Sequence, residues 1–271
     1  MVAPSTSAEQ RQTIERFAHR GFSLNAPENT LASFKDALDA GTQWLEIDVN
    51  TTVDGVPIVF HDPFLNRLTG HFGLVRNTPW KEIKELELEG GHRIPSLAEA
   101  LEAFPEASFN IDMKDAASAI TVPRVLSQVK KLPRVRITSF TERTRKAAYR
   151  SLAFYGLQDQ VTLGASELSM TFLYLSSLIH PKMWSVISAK TNNWVAPIDA
   201  VQIPLTHNWL GKTWQVLTPR LLETAQTAGY QVHIWTIDEA ERMRELIELG
   251  VDGIITNRTD ILSRVLKELG R

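Results

Sequence analysis

Short apolar runs alternate along the chain with stretches whose apolar residues recur every three or four positions. The short runs predict strands at 16–20, 43–52, 56–60, 108–113, 135–140, 160–165, 200–205, 231–237 and 252–256. The periodic stretches predict helices at 30–40, 121–131, 141–152, 169–179, 218–228, 238–249 and 260–269. In the first of these, Leu31, Phe34, Ala37 and Leu38 share one face and Gly41 closes the helix. Pro95-Ser96 opens a further helix running to about Phe104. Val53 and Val56 flank Asp54-Gly55, a strong hairpin signal.

With 43–60 taken as one strand carrying a hairpin, eight strand-then-helix steps follow one another. That alternation predicts a parallel sheet. Eight steps in 271 residues favour a TIM (β/α)8 barrel, although a doubly wound sheet uses the same local signals. Residues 63–94 read as a small, irregular insertion after the second strand, with a short helix near Trp80 to Leu88. No linker or repeat divides the chain, so residues 1–271 read as a single domain.

Composition narrows the possibilities. A net charge of −2 gives no basic surplus for nucleic acid. The absence of cysteine excludes a disulfide scaffold, a thiolate metal site and a cysteine nucleophile. No run approaches the roughly 20 apolar residues of a membrane helix. The polar stretch from Met1 to Gln12 lacks the apolar segment of a signal peptide, so stable membrane insertion is not expected and a cytoplasmic protein is. Oligomeric state is left open.

Buried parallel strands are normally apolar throughout, yet several strand ends here are charged. His19-Arg20-Gly21 ends the first, Glu46-Ile47-Asp48 lies in the second, and Asp112-Met113-Lys114 ends the next main strand. In a barrel, strand ends of this kind supply the active site. Glu46 and Asp48 are two residues apart and point to one face. Two close carboxylates repel unless a cation sits between them, and a hard divalent ion suits oxygen ligands; surface carboxylates on an exposed strand are the plainer alternative. If Asp54-Gly55 forms a two-residue loop, Asp48 faces His61. Asp112 is placed to complete the ligand set, Lys114 to meet an anion beside it, and Arg20 to offer phosphate a planar fork. Three carboxylates, two histidines, one arginine and one lysine together read as a metal-assisted site for a phosphate ester.

The ordered residues His19-Arg20-Gly21, Pro27-Glu28-Asn29-Thr30, Glu46-Ile47-Asp48-Val49, Thr52, Asp54-Gly55 and His61-Asp62 resemble the glycerophosphodiester phosphodiesterase family. The likeness continues through Arg67 to Gly70, Ile94 to Leu97 and Asn110 to Lys114, and returns at Trp235 to Asp238 and Gly250 to Asn257. The resemblance implies a TIM barrel with a small insertion and one divalent cation, Mg2+ or Ca2+, held by Glu46, Asp48 and Asp112. It implies His19 and His61 as general acid and base, Arg20 and Lys114 as phosphate ligands, and Trp235 in the substrate pocket. Glu28 would support its loop. The implied reaction releases glycerol 3-phosphate and an alcohol through a cyclic phosphate. Asp112 stands where the family commonly has glutamate, and Thr256-Asn257 where it usually has Thr-Asp.

Residues 166–215 match that pattern poorly. Their tryptophans, Trp184, Trp194, Trp209 and Trp214, read either as an aromatic wall for a choline-type headgroup or as packing onto the barrel. Other functional readings are a phosphodiesterase on lysolipids, in the manner of a lysophospholipase D, a barrel that binds phosphate esters without catalysis, and a metal-independent sugar-phosphate barrel.

Overall fold

The computed structural model describes residues 13–180, 183–184, 187–188, 195–209 and 211–271, with the backbone alone at 207–209 and 212. Eight parallel strands form the barrel: β1 (Glu15–His19), β2 (Trp44–Thr51), β4 (Ser108–Met113), β5 (Val135–Thr138), β6 (Val161–Leu163), β7 (Ala200–Pro204), β10 (Gln231–Trp235) and β11 (Gly253–Thr256). A short β3 (Pro57–Val59) pairs antiparallel with β2, and β8 (Thr206–Trp209) with β9 (Lys212–Gln215) makes a separate hairpin. Pairing runs unbroken from β6 through β5, β4, β2, β1, β11 and β10 to β7. The ring closes where the Asp199 N–H meets the Leu163 carbonyl at 2.9 Å and the Ala165 N–H meets the Ala200 carbonyl at 2.8 Å. The barrel predicted from the alternation of elements is the fold observed.

Side chains explain the layers. Along β2, Leu45, Ile47 and Val49 point outward into a core shared with the surrounding helices. The alternate residues Trp44, Glu46 and Asp48 therefore point into the barrel. A second core packs β7, β10 and β11 against the C-terminal helices through Val201, Val232, Ile234 and Ile254. Helix starts are set by hydroxyl caps. Thr30, Ser96 and Ser166 each form a reciprocal capping box, and Thr218 caps a helix whose first residue is Pro219.

Three expectations shift. The helix predicted over 121–131 spans Ser118–Leu126, because the Asp115 carboxylate accepts the Ser118 N–H at 2.7 Å and starts it early. Only Trp80–Ile83 is α-helical in the stretch predicted near Trp80 to Leu88; the insertion is held by its own small core of Ile58, Phe60, Leu65, Val75, Ile83, Leu88 and Ile94. The hairpin is one residue out of the expected register. Val53, Asp54 and Gly55 all belong to the turn, with Gly55 at φ +79° and its N–H on the Thr52 carbonyl at 3.0 Å. Val49 thus pairs with Val59, and Asp48 faces Phe60 rather than His61.

The floor of the barrel is polar. Glu15 Oε1 lies 2.7 Å from Arg134, and its Oε2 lies 3.5 Å from Arg136 and 3.3 Å from His233 Nε2. Arg136 also donates to Gln231 at 2.5 Å, and its guanidinium stacks 4.8 Å from the Trp44 ring. Glu15 falls to about 2: burial opposes its charge, but His233 and the two arginines outweigh burial. His233 is fully buried and falls to about 4, burial outweighing its bond to Glu15.

Candidate active site

At the C-terminal mouth of the same barrel a cavity of about 610 Å³ opens. His19, Arg20, Glu46, Asp48, His61, Asp112, Lys114 and Trp235 all line it. The register error therefore does not remove His61 from the site: it follows β3 and returns to the mouth one position further on.

The turn after β1 explains the His-Arg-Gly triplet. Arg20 and Gly21 have positive φ, +59° and +83°, which folds the chain back so that the Phe22 N–H reaches the Ser33 carbonyl at 2.8 Å. A Cβ on Gly21 would stand 2.4 Å from Ser33 Oγ, so only glycine fits there. The tight turn brings the Arg20 N–H to Glu46 Oε2 at 3.1 Å.

The carboxylates are buried and their charges are unequally met. Asp48 lies 3.0 Å from Arg20 Nε and 2.9 Å from Lys114 Nζ, and accepts the Asn29 amide at 2.9 Å. Burial would raise its pKa, but Lys114 and Arg20 hold it below the ordinary value. Asp112 is 2.5 Å from the same ammonium and accepts Thr138 Oγ1 at 3.2 Å, yet burial, with Asp48 nearby, keeps it raised. Glu46 is pushed well above the carboxylate range by burial and by Asp48 and Asp112 together. Lys114 is held firmly protonated because Asp112 and Asp48 outweigh its burial.

Each histidine leans on a second group. His19 Nδ1 is 2.8 Å from Asn257 Oδ1, and Asn257 Nδ2 donates to Asp238 at 2.9 Å. Burial lowers the His19 pKa against the pull of that hydrogen bond. His61 Nδ1 is 2.7 Å from Asp62, which Arg67 holds at 2.5 Å; Arg67 also meets Glu28 at 2.6 Å, and Glu28 meets Arg20 at 3.1 Å. Glu28 thus ties the β1 loop to the insertion, which is the supporting position expected for it. Trp235 forms one wall, edge-on to Phe140 with ring centroids 6.3 Å apart.

Asn29, Asp62, Arg67, Asp238 and Asn257 stand in the sequence motifs given above without a role of their own, and Phe140 stands in none of them. Asp238, Asn257 and Phe140 lie one to three residues beyond a barrel strand, so the strand-end rule flags them once boundaries are known. Of the tryptophans in 166–215, Trp184 packs onto the barrel, its ring N–H donating to Tyr230 at 2.9 Å. Trp214 is half exposed, and Trp194 and the Trp209 side chain lie outside the described residues. Among the described residues no helix is long and apolar enough to cross a membrane.

A closed parallel barrel with charged groups gathered at its C-terminal mouth defines a barrel enzyme. The profile of the Glycerophosphoryl diester phosphodiesterase family matches residues 19–261. A Mycobacterium tuberculosis protein named probable glycerophosphodiester phosphodiesterase 2 is 35% identical over 250 residues, covering 92% of this chain and 89% of its own length. A glycerophosphodiester phosphodiesterase of Caldanaerobacter subterraneus is 30% identical over 261 residues, covering 93% and 98%. The fold is similar to that of an Oleispira antarctica phosphodiesterase solved with the product sn-glycerol-3-phosphate, at TM-score 0.72 and 24% identity, covering 93% and 96% of the two chains. The chain belongs to the glycerophosphoryl diester phosphodiesterase family and is an enzyme of that class.

Proposed function

We propose that this enzyme hydrolyses glycerophosphodiesters to glycerol 3-phosphate and an alcohol, with one divalent cation, Mg2+ or Ca2+, and two histidines moving protons. The observation that carries the reading is the charge deficit at the mouth. Glu46, Asp48 and Asp112 share one cavity in which, among the described residues, Lys114 and Arg20 are the lysine and arginine cations, and Glu46 is left poorly compensated. Their oxygen donors fit a hard cation. Among the described residues, no three such side chains already surround a common ion position, and Lys114 bridges Asp48 to Asp112. Glu46, Asp48 and Asp112 would hold the ion, which when bound supplies positive charge to the phosphate and acidifies a nearby hydroxyl.

The chain's own groups do the rest. Arg20 and Lys114 bind phosphate oxygens and stabilise charge as it builds. Trp235 packs against the glycerol or the alcohol. One histidine takes the proton of the glycerol 2-hydroxyl as that oxygen attacks phosphorus. The bond to the alcohol breaks, and the other histidine protonates the leaving oxygen. Water then opens the cyclic phosphate with the two proton transfers reversed, giving glycerol 3-phosphate. The attack is intramolecular, which gives a large proximity advantage.

The test is release of glycerol 3-phosphate from glycerophosphocholine and glycerophosphoethanolamine, with Mg2+, with Ca2+, with chelator, and in His19→Ala. Metal-dependent release that falls by about a thousandfold in the variant is expected. Equal release with chelator, or from an analogue lacking the 2-hydroxyl, contradicts the reading.

A further inference from the structure

His19 does not meet a carboxylate directly. It meets an amide whose orientation is fixed from behind. Asp238 Oδ1 accepts the Asn257 backbone N–H at 2.8 Å and the Thr256 hydroxyl at 2.9 Å, while its Oδ2 accepts Asn257 Nδ2 at 2.9 Å. Turning the Asn257 amide over would set its oxygen against an Asp238 oxygen at that distance and lose the bond. Oδ1 of Asn257 is thereby committed to the His19 side, 2.8 Å from Nδ1. An amide oxygen only accepts, so the hydrogen must sit on Nδ1.

We propose that Asn257 and Asp238 act as a positioning pair that holds neutral His19 as the tautomer with hydrogen on Nδ1 and none on Nε2. The inference rests on the reading of His19 as a proton-transfer group. Its consequence is a direction for the first step. Nε2 makes no hydrogen bond among the described residues, and without a hydrogen it can only accept. His19 therefore takes the 2-hydroxyl proton as the oxygen–phosphorus bond forms. The leaving oxygen receives its proton from His61, whose Nδ1 lies on Asp62 at 2.7 Å. Opening of the cyclic phosphate returns both protons: His61 accepts from water and His19 gives its proton to the 2-oxygen. Neither Asn257 nor Asp238 touches the reacting atoms; both act through the ring.

The tautomer is read directly by 15N–1H correlation spectra of protein labelled at histidine, with the His19 signal identified by its loss in His19→Gln. A single neutral form with a bare Nε2 is expected. In Asp238→Ala the amide is free to turn, so both tautomers appear and kcat falls by about tenfold to a hundredfold while KM stays within about twofold. The double exchange Asp238→Asn with Asn257→Asp keeps an acceptor facing Nδ1, and restores the single tautomer and most of kcat. A wild-type protein with hydrogen on Nε2, or an Asp238→Ala spectrum identical to wild type, overturns the proposal. The expected tautomer in a protein that releases no glycerol 3-phosphate supports the positioning pair and overturns the functional reading, so the two fail separately.

Discussion

At the floor of the barrel one carboxylate, Glu15, meets two guanidiniums and a neutral imidazole; at the mouth three carboxylates meet one ammonium and one guanidinium. The floor has positive charge to spare, and Glu15 drops to about 2. The mouth is short of it, and Glu46 rises, pushed up by its burial and by Asp48 and Asp112 beside it. The strands are the same, so the difference lies in which residues face inward at each level. A buried cluster that closes its own charge serves the fold. One that leaves a charge open reserves a place for a ligand.

Glu46→Gln should separate the two ends most widely. Activity should fall by about a thousandfold or more, while stability without cation holds or rises by about 1 kcal/mol, since a disfavoured carboxyl is replaced by a neutral isostere. Initial rates of glycerol 3-phosphate release and urea unfolding check the two halves. A protein that loses activity because it loses stability would erase the distinction between the ends.

The matching change at the floor is Arg136→Met. It leaves Glu15 with the half-exposed Arg134 and the neutral His233, and removes the partner of Gln231, at a cost of about 3 kcal/mol in urea unfolding. The rate of the folded fraction should stay within about twofold. A large change in rate with little loss of stability would mean that the floor is part of the chemistry.

Acid should loosen the floor in two stages. His233 is neutral in the fold down to about pH 4, whereas the unfolded chain protonates it near 6.5, so stability falls as pH drops across that interval, by up to about 3 kcal/mol. Glu15 continues the loss from its unfolded value near 4.5 toward 2, because its depressed pKa stabilises the fold only while it is ionised. The difference in urea midpoint between wild type and His233→Gln, followed from pH 7 to 4, isolates the first stage. A difference independent of pH contradicts it.

Much of this was legible in the sequence, for identifiable reasons. Glu46, Asp48 and Asp112 were visible because charged residues interrupt strands that should be apolar. The strand expected over 108–113 is observed over the same residues. The hairpin departs from the expected register by one residue because Asp54-Gly55 supports both a two-residue loop and a longer turn with glycine at its end; the choice depends on Thr52, whose carbonyl takes the Gly55 N–H and whose hydroxyl takes the Val56 N–H at 3.0 Å. The β8–β9 hairpin has no signal in the sequence, as its residues lack alternation. The floor network was invisible because Glu15, Arg136 and His233 lie on three strands far apart in sequence, and only barrel closure brings them together.

The mouth is short of positive charge and the floor is not, so an added cation should stabilise the fold through the mouth alone. The decisive experiment is thermal unfolding against added Mg2+ or Ca2+ in wild type, Glu46→Gln and Arg136→Met. At about a hundred times the dissociation constant, wild type and Arg136→Met should each gain roughly 5 °C, and Glu46→Gln less than about 1 °C. Equal gains in wild type and Glu46→Gln would mean that the mouth is not where positive charge is lacking.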